Sequence, residues 1–237
     1  MKNDNNVAIQ VLCVWSGLAY ALILWVAMIP LANFFPPPSP NMSVTETALL
    51  FKDHADGIRA NGVLWMIAAG FYVPFICVIF IQMKRIEGRF PVLSYVQLIG
   101  GVMTMVVTAL GGVIWCVLTY REYANPEIVM VLNDMSWFIL FFNISPAVFQ
   151  NLSIGIIGLR DTRKHPMLPK WLCWFNIWLA FAFLPDIMIP YFKRGPFAWD
   201  GFIAFTLPMG LFFVWFIVMI RPLIAVIRRT DEEADAV

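Results

Sequence analysis

The chain has 237 residues, of which 61% are hydrophobic and only 13% charged, and its formal net charge is +1. A soluble domain carries about 25% charged residues, and a globule of this length has too little interior to hide such an apolar excess. The near-neutral balance offers no basic surface for nucleic acid, so none is expected as a partner.

Six apolar stretches are long enough to be membrane helices, at about 8–33, 61–83, 92–119, 128–159, 170–192 and 201–227. The expected fold is therefore all-α: one polytopic transmembrane helical bundle over residues 1–230, followed by an acidic tail at 231–237. The first stretch follows MKNDNN and exceeds the roughly 7–15 apolar residues of a signal peptide. It reads as a retained span, with cleavage near PLAN as the alternative.

FFPPPSP then makes a stiff, polyproline-like exit. SVTE (Ser43 to Glu46) has the form of a capping box, with Ser43 accepting from the backbone and Glu46 reaching back. Leu49, Leu50, Phe51 and Ile58 alternate with charges at near-helical spacing, which predicts an amphipathic surface helix over about 44–60. Asp53, His54 and Asp56 within it read as a solvated face, and no metal site is expected.

The third span carries Gln97, Gly101, Thr104, Thr108, Gly111 and Trp115 on one stripe, with the overlapping series Gly100, Thr104, Thr108 and Gly112. Small and hydroxyl residues at this spacing let helices approach closely, so Gly101, Thr104, Thr108 and Gly112 are expected to pack against a neighbour. NPE at 125–127 opens the fourth span, with Asn125 as N-cap, Pro126 in the first turn and Glu127 on the positive end of the dipole.

That span contains DMSWFILFFNISPAVFQN. At 100° per residue Ser136, Asn143 and Gln150 share a stripe flanked by Pro146. Phe138, Phe141, Val148 and Leu152 fall on the opposite, lipid-facing side. Pro146 has no N–H to give the carbonyl of Phe142, which is left free near Asn143. Asp134 lies off the stripe, near the outer end. The amides could serve helix–helix hydrogen bonds or a ligand, and the pattern does not choose between them.

The fifth span, WLCWFNIWLAFAFLPDIMIPYF, holds the deepest carboxylate of the chain, Asp186, about 10 Å inside its outer end at 1.5 Å per residue. A charge at depth needs water, a partner or a cavity. Three readings are open: snorkelling to the outer surface, binding a cation, proton or ligand headgroup, or pairing with Arg59 or Arg121. Asp134, Asn143, Gln150, Asn176 and Asp186 together are the candidate lining of one cleft, open towards Asp134 and Asp186 on the outer side.

Gln10, Gln97 and Asn176 sit early in the first, third and fifth spans, a faint sign of three related hairpins. Cys13, Cys77, Cys116 and Cys173 all lie in or beside apolar segments without a CxxC, so neither disulfides nor zinc is expected. Two histidines, His54 and His165, are too few and too peripheral for bis-His haem. No cofactor is expected, and no catalytic set is recognisable. Trp171, Trp174 and Trp199 read as interface anchors. With both termini in the cytoplasm, eleven of the 16 Lys and Arg residues lie inside and five outside, as the positive-inside rule requires.

PPPSP, GIRANGVLWM, QMKRIEGRFPVLSYVQL, DMSWFILFF, VFQNL and YFKRGPFAWDGFIAF resemble stretches of a group of six-span bacterial membrane proteins of unknown function. The resemblance covers most of the chain. It implies the six-span layout in a bacterial cytoplasmic membrane and says nothing about chemistry. The leading expectation is a non-enzymatic membrane protein that binds or passes a hydrophobic or amphipathic small molecule, or a lipid, through an outward-facing cleft. The alternatives are an accessory subunit packed against other membrane proteins or a second copy, and an enzyme using Asp134 or Asp186.

Overall fold

The computed structural model describes residues 4–121 and 125–229. Lys2 and the acidic tail at 231–237 lie outside the described residues. The described chain is helical, without strands, and six helical segments are long and apolar enough to cross a membrane: Asn5–Leu31, Ala55–Glu87, Val92–Tyr120, Pro126–Arg160, Lys170–Tyr191 and Phe202–Arg228. Their apolar residues outnumber what the bundle can bury. Leu12, Val117, Trp178 and Ile217 are among many exposed large hydrophobics, as expected of a surface solvated by lipid.

The α-helices are α1 (Asp4–Val26), α2 (Val44–Asp53), α3 (Ala55–Glu87), α4 (Val92–Tyr120), α5 (Pro126–Trp137), α6 (Ser145–Arg160), α7 (Lys170–Ala182) and α8 (Leu207–Arg228). Residues 32–54, Arg121, Asn125 and residues 192–201 make one face, called the loop face. The ends of α1, α3, α6 and α8 at residues 4, 87, 160 and 228 make the opposite, terminal face.

α2 begins at the expected capping box. Ser43 Oγ accepts from Glu46 N at 3.3 Å, and the Glu46 carboxylate accepts from Ser43 N at 2.7 Å. The Ser43 backbone and hydroxyl bonds hold the Glu46 carboxyl below the usual carboxylate range. The expected helix over 44–60 is, however, two helices. His54 leaves the helical region (φ −111°, ψ 20°), and residues 55–60 already belong to the second span. Phe51 is buried and meets Phe34 at a ring distance of 6.3 Å, so α2 packs into the bundle top. Asn125 accepts from Glu127 N at 2.9 Å and caps α5 as its sequence predicts.

α3 and α4 are the regular pair and form the largest helix interface. The other four spans break, all in the half nearer the loop face. α1 runs into a π-helical turn, Ala27–Leu31, containing Pro30. α5 runs into a second one, Phe138–Phe142, and the chain leaves the helix at Asn143 before α6 starts. α7 ends at Ala182 and continues as a 3₁₀ segment, Leu184–Tyr191, with Pro185 and Pro190. A third π turn, Phe202–Thr206, precedes α8 and its Pro208. A proline cannot supply its ladder N–H and crowds the preceding turn, which accounts for the position of each break. Non-helical backbone at membrane depth is tolerated only when buried in protein or lining a cavity.

The two faces are tied differently. On the terminal face Arg85 donates to the carbonyls of Val226 and Arg229 (3.2 and 2.9 Å), and Arg229 donates to those of His165 and Pro166 (3.3 and 3.1 Å). Lys170 Nζ closes the end of α6 by donating to the carbonyls of Gly158, Leu159 and Asp161 at 3.0–3.1 Å, where a cation also meets the negative end of the helix dipole. Burial alone would raise the Asp161 carboxyl. Donation from Met167 N, from the Arg163 side chain and from Arg163 N outweighs it and holds the group below its ordinary range. On the loop face Trp199 Nε1 donates to the Pro38 carbonyl at 2.8 Å, and the Asn41 amide donates to the Lys193 carbonyl. Trp199 is thus a buried tie between two loops and not the interface anchor its position suggested.

Candidate functional site

The breaks surround a central cavity of about 110 Å³ whose wall draws on all six spans. α1 contributes Tyr20 and Leu24, and Met28 follows from its π turn. α3 contributes Trp65, and α4 contributes Thr104, Val107 and Thr108. The broken fourth span gives Phe141, Asn143, Ile144 and Ala147. The fifth gives Phe183 and Asp186, and the start of α8 gives Pro208, Phe212 and Phe213. Sequence spacing had not connected Tyr20, Trp65 or the α8 aromatics with the amides. One signal was legible: Tyr20 and Tyr72 place phenol groups in mid-span, where a hydroxyl needs a partner.

Both phenols are satisfied. Tyr20 Oη pairs with Thr108 Oγ1 at 2.9 Å, Tyr72 Oη donates to Gln150 Oε1 at 3.0 Å, and the two rings stack at 4.8 Å. The hydroxyls of Thr104 and Thr108 return to their own helix, donating to the carbonyls of Gly100 and Thr104 at 3.0 Å each. The predicted packing stripe therefore divides in two. Gly101 and Gly112 lie against α3. A Cβ on Gly112 would meet the Gly62 carbonyl oxygen at 2.6 Å, and one on Gly101 would meet Ile76 Cγ2 at the same distance. Thr104 and Thr108 face the cavity.

Asp186 is only 3% exposed, so its side chain does not snorkel to the surface. Nor is it paired with either arginine. Arg59 binds Asp56 at 3.0 Å and the Thr119 carbonyl at 2.5 Å, and Arg121 lies over the Tyr120 ring at 5.8 Å. Asp186 Oδ1 is buried with no hydrogen-bond partner among the described residues. No Lys, Arg or His stands among the cavity's lining residues.

The five residues expected in one cleft are distributed over different environments. Asn143 and Asp186 share the cavity wall. Gln150 is buried behind it, held by Tyr72. Asn176 is wholly buried between α7 and α8, donating to the Leu172 carbonyl at 2.8 Å and accepting from Trp215 Nε1 at 2.9 Å. Asp134 accepts from the Asn133 amide at 3.3 Å, away from the cavity. Within the fourth span, the π turn at Phe138–Phe142 takes Asn143 out of the expected stripe. Its wider turn lags the 100° phase of an α-helix, so Asn143 falls off the line joining the buried Ser136 and Gln150 and becomes exposed. The same shift turns Phe141, expected to face lipid, into the core beside Trp137 and Phe205.

A second hollow, a groove of about 780 Å³, adjoins the cavity. Val107, Asn143 and Ile144 belong to both walls. The groove is otherwise lined by apolar side chains of α4 and of the fourth and fifth spans, together with Ser145. Among them Phe149 and Ile187 stand exposed on the bundle's flank. The two hollows thus adjoin at Asn143, and Asp134 lines neither of them.

Compared with protein-family models, curated proteins and solved structures, the chain matches none. No group of three or more His, Cys, Asp or Glu side chains arranged to hold a metal occurs among the described residues.

Proposed function

We propose that this protein is a multi-pass membrane protein that binds an amphipathic small molecule or lipid, head in the central cavity and tail in the flanking groove. The observation that carries the reading is that the two hollows adjoin, with Val107, Asn143 and Ile144 in both walls. Ligand sites are mostly apolar hollows with a few convergent polar groups. Membrane proteins place such sites where helices are interrupted, because the broken backbone supplies polar groups at depth. Four interrupted spans around a hollow containing Asp186 and Asn143 fit that pattern. The groove, walled by residues that lipid already solvates, gives a chain-like tail a route in from the bilayer.

Native mass spectrometry of protein released from lipid nanodiscs tests this. The parent is expected to retain a bound amphiphile, and Ala147→Phe, which fills the cavity from its wall, is expected to lose it. Equal retention by a folded Ala147→Phe would refute the cavity as the site.

The proposal includes orientation, with both termini in the cytoplasm of a bacterial cell. Arg85, Lys170 and Arg229 gather at the terminal face through the bonds described above, and Arg163 joins them by donating to the Arg85 carbonyl at 3.4 Å; this richer basic end belongs on the cytoplasmic side. In intact cells an impermeant maleimide is expected to label Ala48→Cys and not Lys164→Cys. The reverse pattern would invert the topology.

A further inference from the structure

We propose that the head group this cavity takes is an organic cation, an alkylammonium, held by Asp186 and enclosed by aromatic rings. This deepens the reading above and rests on it. Asp186 is buried, one of its carboxylate oxygens is unpartnered among the described residues, and the cavity lining contributes no basic side chain to balance it. A lone carboxylate in a membrane interior needs water, a proton or a cation, and with no basic side chain in the lining a cationic ligand is the partner proposed for it.

The rest of the wall suits an organic cation better than a metal ion. Tyr20, Trp65, Phe141, Phe183, Phe212 and Phe213 all line the hollow, and ring faces attract ammonium groups most strongly where water is excluded. A hard metal ion takes six or more oxygen ligands. Asp186, the Asn143 amide and two threonine hydroxyls already engaged with Gly100, Thr104 and Tyr20 fall short of that.

Size limits the ligand further. A dry cavity of about 150 Å³ is enough for a benzene-sized guest. The 110 Å³ here therefore takes a head such as trimethylammonium and not a whole amphiphile. The tail continues past Asn143 and Ile144 into the apolar groove. A zwitterionic phospholipid fits poorly, because no basic side chain lines the hollow to meet its phosphate.

The test compares octyltrimethylammonium with its neutral isostere, in which carbon replaces the nitrogen, by calorimetry on the parent protein in nanodiscs. The cation is expected to bind about tenfold or more tightly than the isostere, and Asp186→Asn is expected to abolish that difference. Octyl sulfate is expected not to compete. Equal binding of cation and isostere by the parent, a comparison that needs no variant, would overturn the charge assignment and leave the amphiphile reading standing. Binding of neither would overturn both. A difference that survives in Asp186→Asn would assign the recognition to the rings and overturn the role of Asp186.

Discussion

Gly112→Leu is expected to keep the bundle from assembling, while Gly70→Leu leaves it intact. Gly62 and Gly112 face one another across α3 and α4. A Cβ on either residue would lie 2.6 Å from the other's carbonyl oxygen, a distance real Cβ atoms do not adopt. What stands in the way is backbone, which cannot rotate aside as a side chain can. Membrane helices associate through close packing and hydrogen bonds, with little hydrophobic drive between them. Separating these two backbones therefore removes much of what joins them. Overpacking costs about 1–3 kcal/mol where side chains can yield, and more is expected here. Around Gly70, on the same α3, an added Cβ meets nothing within 4 Å, so it controls for the residue type. Size-exclusion elution and thermal melting in detergent would report the difference. A Gly112→Leu protein that elutes and melts like the parent would show that α3 and α4 do not pack at this point.

The consequence reaches the cavity. Trp65 stands one turn from Gly62 and Thr108 one turn from Gly112, and both line the hollow. The close approach sets the depth of that wall, and the Trp65 and Trp115 rings pack edge to face at 4.9 Å on its loop-face side. Phe34 against Trp115 and Trp137, at 5.4 Å each, extends the same aromatic plug.

Which parts of this were legible in the sequence follows from how local each signal is. The six spans were, because length and apolarity are properties of each segment alone. The caps at Ser43 and Asn125 were, because capping involves residues two or three apart. The glycines of α4 were recognisable as a packing series, but which neighbour each would meet was not. The amide stripe failed at Asn143 because its phase assumed an unbroken α-helix, and a π turn of five phenylalanine, isoleucine and leucine residues leaves no mark in a hydropathy pattern. Proline did mark the neighbourhood: Pro30, Pro146, Pro185 and Pro208 each sit within a few residues of a break. Their meeting around one hollow is a tertiary fact, and so is the seclusion of Asp186. Its distance from the helix end suggested a short reach to water that the surrounding wall does not allow.

Two amides that looked alike in sequence should therefore respond in opposite ways when replaced by leucine. Asn176 is wholly buried and holds Trp215 Nε1 at 2.9 Å. Asn176→Leu leaves that indole N–H without its acceptor in an apolar interface. Such a loss costs about 1–2 kcal/mol, since hydrogen bonds between membrane helices are weaker in net effect than their vacuum strength suggests. The melting temperature should fall while any bound amphiphile is retained in whatever protein stays folded. Asn143 is exposed, ends the π turn and borders both cavity and groove. Asn143→Leu breaks no helix–helix bond, and its stability should stay within about 0.5 kcal/mol of the parent. The substitution instead removes a polar group from the passage between head site and tail groove, and affinity for the amphiphile should fall about tenfold, the value of one or two lost polar contacts. Melting curves and binding isotherms on the two variants would separate the roles. If Asn143→Leu is destabilised and binds normally, the amide is a packing residue and the passage does not run past it.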